Sequence, residues 1–268
     1  MEASLAGGKL LLDRPAEAVA RLTISNPERR NALDHEILDA IATALPQLDR
    51  GIETRCVLIT GAPPVFSAGY DIANIPDETF ERDAEALVAH PFHAAIEAIA
   101  KHPWPVVAAV NGHCLGGGLE LAITCDLRIC AEGAKLGMPP AKLGLIYGHT
   151  GLQRFLDTIG LARTKELFMT GRNYGAARAE TIGLVNEVVP AERLEPDSVA
   201  LAAEIAANAP LSVRGNKQAI ETLHANPSLS QQQEAGLIAL RESSFASTDL
   251  REGIRAFAEK RRPEWTGR

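Results

Sequence analysis

The chain has 268 residues, 46% hydrophobic but only 4% aromatic, enough for one large domain, or a domain plus an appendage, with a core filled by Ala, Leu, Ile and Val. Acidic residues outnumber basic ones 34 to 27, and the resulting net charge of −7 disfavours a sequence-independent grip on nucleic acid. Cys56, Cys114, Cys125 and Cys130 form neither a CxxC pair nor a zinc spacing, and no uncharged apolar stretch approaches the roughly 18 residues of a membrane helix.

The expectations that follow are reduced thiols, no metal and no membrane span. No basic-plus-apolar leader is read at the start, so a cytoplasmic setting is expected.

Short apolar runs at 9–13, 18–24, 55–60, 105–110, 126–131 and 184–189 predict strands. Among the early ones, residues 34–50 place Ile37, Leu38, Ile41, Leu45 and Leu48 at helical spacing, with Asp34 as N-cap and Gly51 closing the stretch. From Asp197 onward the pattern is helical, over 198–208, 211–224, 229–243 and 249–260, with Pro or Ser breaks between the helices. A β-rich body of residues 1–195 and a helical region of 196–268 are therefore expected, with no internal repeat.

Two segments carry chemistry. In NGHCLGGGLELAITCDLRIC, a strand runs into Gly116, Gly117 and Gly118, and a helix is expected to open at Leu119. Glycines let backbone approach a ligand without Cβ clashes, and the first amides of a helix lack intrahelical partners at its positive end. The cluster fits either a tight turn or an anion site. Glu120, two residues on, fits either a dipole partner or a carboxyl beside that anion.

In VLITGAPPVFSAGYDI, small residues after a strand again expose backbone amides, near Gly69 and Tyr70. Amides from two separate loops are what an oxyanion hole requires. No GxGxxG at the first strand, no G-x-S-x-G around Ser67 and no second histidine after His35-Glu36 supports a dinucleotide, serine-hydrolase or zinc-hydrolase reading.

FSAGYDI and GGGLELA, with NPERRNAL before them and TGRNYGAARAETIGLVNEVVP after, resemble the crotonase (enoyl-CoA hydratase/isomerase) superfamily from about Lys9 onward. The resemblance implies an α/β crotonase-like spiral of ββα units with a C-terminal helical trimerisation region, as a homotrimer or a dimer of trimers. It implies an acyl-CoA thioester as substrate, with coenzyme A part of that substrate and no separate cofactor. The thioester oxygen would lie between the backbone N–H groups of Tyr70 and Gly117.

It further implies that Arg29 and Arg30 lie along the nucleotide. Ser67, Ala68, Asp71 and Ile72 would flank adenine and pantetheine, and Phe257 and Lys260 would reach a neighbouring subunit's CoA.

Glu120 matches the first of a hydratase's two glutamates, and Pro140 replaces the second. GMPPAKLGLIYGHTGLQ looks most like the methylmalonyl-CoA decarboxylase branch, where a proline and a tyrosine stand as Pro140 and Tyr147 do. That branch carries His where this chain has Tyr70. The activity so implied is decarboxylation of methylmalonyl-CoA, or a related malonyl-type thioester, to propionyl-CoA. Tyr147 would bond the leaving carboxylate, an apolar wall would form around Leu143, Leu145 and Ile146, and Glu120 would handle later protonation. The alternatives are an enoyl-CoA isomerase or divergent hydratase using Glu120, and a non-catalytic acyl-CoA binder.

Overall fold

The computed structural model describes residues 3–71, 78, 86, 88–226, 228 and 230–268, with backbone alone for Val88, Ala89, Ser244, Phe257 and Ala258. Ten strands are assigned among these residues: β1 (Ala3–Leu5), β2 (Leu10–Ala16), β3 (Val19–Ile24), β4 (Cys56–Gly61), β5 (Val106–Val110), β6 (Cys114–Leu115), β7 (Leu127–Ala131), β8 (Lys135–Gly137), β9 (Asn173–Gly175) and β10 (Glu187–Val189). The α-helices are α1 (His35–Leu48), α2 (His93–Ala100), α3 (Gly117–Thr124), α4 (Pro140–Leu143), α5 (His149–Thr170), α6 (Ala176–Thr181), α7 (Leu194–Ala207), α8 (Pro210–Ala225), α9 (Gln231–Ala246) and α10 (Thr248–Glu259).

Seven strands form one sheet in the order β1-β2-β3-β4-β5-β7-β10. It is antiparallel through β3 and parallel from β3 to β10. Strands buried on both faces read as continuous apolar runs, and β4 shows why. Val57 and Ile59 point into the larger core with α1 and α2, whereas Cys56 and Leu58 point the other way, toward Ala202 and Ala206 of α7. The helix α7, just beyond the expected division near residue 195, thus forms the sheet's second covering layer. Each buried Leu or Ile contributes about 1.5–3 kcal/mol.

The helix α1 starts as expected: an Asp34 carboxylate oxygen accepts from the Ile37 amide at 2.9 Å. Lys9 pairs with Asp34 and Glu36, each at 2.7 Å, which fastens the helix start to the sheet. The expected strand at 184–189 is shorter, because the amides of Leu184 and Val185 bond back to Ala179 O at the end of α6. The expected helix start at Leu119 lies two residues too late; α3 begins inside the glycines, at Gly117. A second sheet, β6-β8-β9, came as an addition. Its strands of two or three residues are too short to show a period.

Candidate functional site

Three loops are laced together by backbone hydrogen bonds. Asn31, fully buried at φ +54°, holds the first to the second. Its side-chain amide donates to Ala62 O (2.7 Å) and Val65 O (2.8 Å), and its oxygen accepts from the Asn26 amide. Asparagine tolerates the left-handed region better than other side-chain-bearing residues. The amides of Phe66 and Ser67 then donate to His113 O, and Leu115 N donates to Ser67 O, joining the second loop to the third.

Around Tyr70 the chain is extended. Gly69 O accepts from Leu33 N at 2.8 Å, and Asp71 N donates to Leu33 O at 3.0 Å. Because successive groups of an extended chain face opposite ways, the Tyr70 N–H is turned away from Leu33. Gly69 brings the loops into contact. At its φ of +97°, a Cβ would stand 2.9 Å from Leu115 O and 3.2 Å from Gly117 N. Gly116, at φ 53° and ψ −126°, is the N-cap of α3 in a conformation open to glycine. Gly117 N is therefore a first-turn amide with no intrahelical acceptor. The Tyr70 and Gly117 amides belong to two loops that touch.

Behind this contact lies a buried polar group. Glu120, 5% exposed, accepts a hydrogen bond from the hydroxyl of Tyr147, which is 9% exposed. The Tyr70 hydroxyl stands 3.4 Å from that of Tyr147. Burial raises the Glu120 carboxyl above its ordinary pKa, and the Tyr147 hydrogen bond, Arg154 and His93 oppose the rise. Burial is also the main cause that pushes both phenols above the ordinary tyrosine range, so they keep their protons near neutrality.

Aromatic edges hold the group in place. Phe92 meets Tyr70 at 4.8 Å and 90°, Phe168 meets Tyr147 at 5.4 Å, and Phe155 backs Phe168 at 5.0 Å. These phenylalanines, together with Asn31, were absent from the sequence reading. Leu143, Leu145 and Ile146, expected to form an apolar wall, are 63%, 51% and 93% exposed in the single chain. Leu143 ends α4, and Leu145 and Ile146 lie in the turn before α5. His113 and His149 are exposed, and Pro140 is buried as the first residue of α4.

The residues expected along a nucleotide lie on the first two loops. Arg29 pairs with Asp71 at 3.3 Å, and Arg30 is exposed at φ +53°. Ala68 is exposed and its amide donates to Arg30 O. Ser67 is fully buried; its hydroxyl accepts from Gly69 N at 3.2 Å within its own loop, and its carbonyl accepts from Leu115 N of the third loop. Ile72 and the Phe257 side chain lie outside the described residues, and Lys260 is exposed just past α10. Among the described residues no group of three or more His, Cys, Asp or Glu could hold a metal ion. Among them, too, no helix is long and apolar enough to cross a membrane. All four cysteines are buried and free.

The family model described as enoyl-CoA hydratase/isomerase matches residues 14–268. A probable enoyl-CoA hydratase of Mycobacterium tuberculosis is 38% identical over 262 residues, covering 97% of this chain and 98% of its own. The short-chain-enoyl-CoA hydratase of Clostridium acetobutylicum is 34% identical over 251 residues, 92% of this chain and 93% of its own. Among solved structures, an enoyl-CoA hydratase from Bacillus anthracis superposes with a TM-score of 0.88 at 33% identity, covering 97% of this chain and 100% of its own. The crotonase-type α/β fold expected from the motifs is the fold observed. These relatives are described as hydratases, which favours the enoyl-CoA alternatives over the expected decarboxylase.

Proposed function

The chain belongs to the enoyl-CoA hydratase/isomerase family, and we propose that within it this enzyme shifts the double bond of a 3-enoyl-CoA to the 2-position by moving one proton. The observation that carries this reading is the buried carboxyl of Glu120, bonded by Tyr147 and the one carboxyl that the described residues bring to this site, with Pro140 where the resemblance would place a second. Addition of water by two carboxylates lacks a partner here, whereas a proton shuttle needs only one base.

In this reading the thioester oxygen accepts hydrogen bonds from the Tyr70 and Gly117 amides. The Glu120 carboxylate removes a C2 proton, and the electron pair moves onto that oxygen to give a dienolate. Glu120 returns the same proton to C4, the double bond settles between C2 and C3, and the carboxylate is regenerated. Each main-chain donor is worth about 2.7–4 kcal/mol of transition-state stabilisation. Burial raises the Glu120 carboxyl above its ordinary pKa, which makes its carboxylate a stronger base for the first half of the transfer.

The descriptions of the relatives favour a second reading, hydration through Glu120 alone. Glu120 would take a proton from water as its oxygen attacks C3, then deliver it to C2. Decarboxylation ranks below both: the Tyr147 hydroxyl meant for the leaving carboxylate already donates to Glu120, and two carboxylates side by side repel. A non-catalytic acyl-CoA binder ranks last. CoA would lie along Arg29, Arg30, Ala68 and Asp71. Exposed apolar side chains on α8 to α10, among them Ile220, Phe245 and Ile254, support a trimer or dimer of trimers in which Lys260 reaches a neighbour's CoA.

The test is incubation with malonyl-, methylmalonyl-, crotonyl- and 3-hexenoyl-CoA, with products separated chromatographically and identified by mass. Conversion of 3-hexenoyl-CoA to the 2-isomer, lost in Glu120→Gln, is expected. Propionyl-CoA from methylmalonyl-CoA without isomerisation would overturn the proposal.

A further inference from the structure

Tyr70 is the residue whose side chain the mechanism above leaves unused. Its backbone amide is one proposed donor, yet its ring folds over the other donor's residue. A Cβ built on Gly117 would lie 2.5 Å from Tyr70 Cε1 and 2.9 Å from Cδ1, so the ring fills the space directly above Gly117. Phe92 holds the ring by an edge-to-face contact at 4.8 Å, and the Tyr147 hydroxyl stands 3.4 Å from its own. Tyr70 packs against the main core while remaining partly exposed. The ring is thus fixed from two sides and presents its remaining surface outward.

Among the described residues, the groups next to the two amides set a direction for the acyl chain of a bound thioester. C2 and C4 must pass Glu120 for the proton to move between them, and Glu120 is joined through Tyr147 to Tyr70. The chain therefore advances toward the wall formed by Tyr70, Tyr147 and Phe92.

We propose that Tyr70 is a specificity-determining residue that closes the acyl end of the site and restricts the enzyme to short acyl-CoA thioesters. The proposal deepens the enoyl-CoA reading and rests on its thioester site. The closure is steric. A phenol held by Phe92 yields less readily than a free side chain, because aromatic pairs of this geometry are worth about 0.5–1.5 kcal/mol beyond the area they bury. Removing the ring leaves the Tyr70 amide in place, since the bonds at Gly69 O and Asp71 N that orient it are main-chain.

The experiment is calorimetric binding of saturated butyryl-, hexanoyl-, octanoyl- and dodecanoyl-CoA to the full chain and to Tyr70→Leu and Tyr70→Ala. Saturated thioesters bind without turnover, so the result is independent of which reaction the enzyme performs. The expected result is that the unaltered protein binds hexanoyl-CoA at least tenfold more tightly than dodecanoyl-CoA. Tyr70→Leu reduces that ratio, and Tyr70→Ala brings it to one or reverses it. Equal affinity for all four in the unaltered protein, or a profile unchanged in both variants, would overturn the closure while leaving the thioester site standing. Failure of the unaltered protein to bind any of them would overturn the thioester site, and the closure with it. Tyr70→Leu keeps most of the apolar contact with Phe92 and serves if Tyr70→Ala fails to fold.

Discussion

Gly151 stands in the first turn of α5, where a Cβ would lie 2.7 Å from Tyr147 Cε1 and 2.8 Å from Glu120 Oε1. Ordinary carbon contacts are about 3.5–4.0 Å, so Gly151→Ala pushes the Tyr147–Glu120 pair aside by roughly 0.8 Å. Two effects on stability oppose each other. Alanine is favoured over glycine inside a helix by about 1 kcal/mol, and overpacking costs about 1–3 kcal/mol. The net loss is at most about 2 kcal/mol, a fall in Tm of no more than about 4 °C for a chain of this size. Activity is hit harder, because misplacing a reacting group by about 1 Å costs on the order of 10²-fold. The assay is kcat/KM on the best unsaturated thioester alongside thermal unfolding. Gly236→Ala serves as the reference, at a helical glycine with open space around it. If Gly151→Ala folds and keeps activity within about threefold of the unaltered protein, the pair is not where the proton moves.

Tyr147→Phe removes the hydrogen bond that favours the Glu120 carboxylate, so the Glu120 pKa rises further and the acidic limb of the kcat/KM profile moves to higher pH. A profile that stays in place would separate Glu120 from catalysis. Gly117→Leu drives a side chain into the Tyr70 ring and displaces a main-chain donor, with an expected loss of about 10²–10³-fold in kcat measured on the same substrate. Elsewhere, burial with Lys217 and Arg214 nearby lowers the His102 pKa from 6.5 to about 4. Between those values the unfolded chain binds a proton that the native state refuses. Stability therefore falls as pH drops through that window, by up to about 3 kcal/mol in all. His102→Gln is expected to flatten that part of the Tm–pH curve.

The parts legible beforehand were those whose physics is local. The apolar runs of β4 and β5 declare strands buried on both faces, and Asp34 before an amphipathic stretch declares a helix start. The glycines at 116–118 declared a close approach, although the helix begins inside them, because Gly117 itself supplies the first turn. What stayed hidden depends on contacts between distant segments. Glu120 and Tyr147 are 27 residues apart and meet only because α5 packs against α3. Asn31 looked like one more polar residue in an arginine-rich loop; its role follows from carbonyls 31 and 34 positions away. Leu143, Leu145 and Ile146 looked like a wall because they are apolar and adjacent to Tyr147, yet adjacency in a turn leaves the direction of a side chain open.

Enolate formation at the paired amides, with Glu120 as base, is tested most directly by deuterium exchange at C2 of butyryl-CoA in D2O, followed by mass spectrometry. A saturated thioester cannot isomerise, hydrate or lose CO2, so only removal and return of the C2 proton is read. The account predicts exchange at least tenfold faster than in buffer, falling to the buffer rate in Glu120→Gln with butyryl-CoA still bound. Tight binding of butyryl-CoA by the unaltered protein without exchange, or exchange that persists in Glu120→Gln, would contradict it.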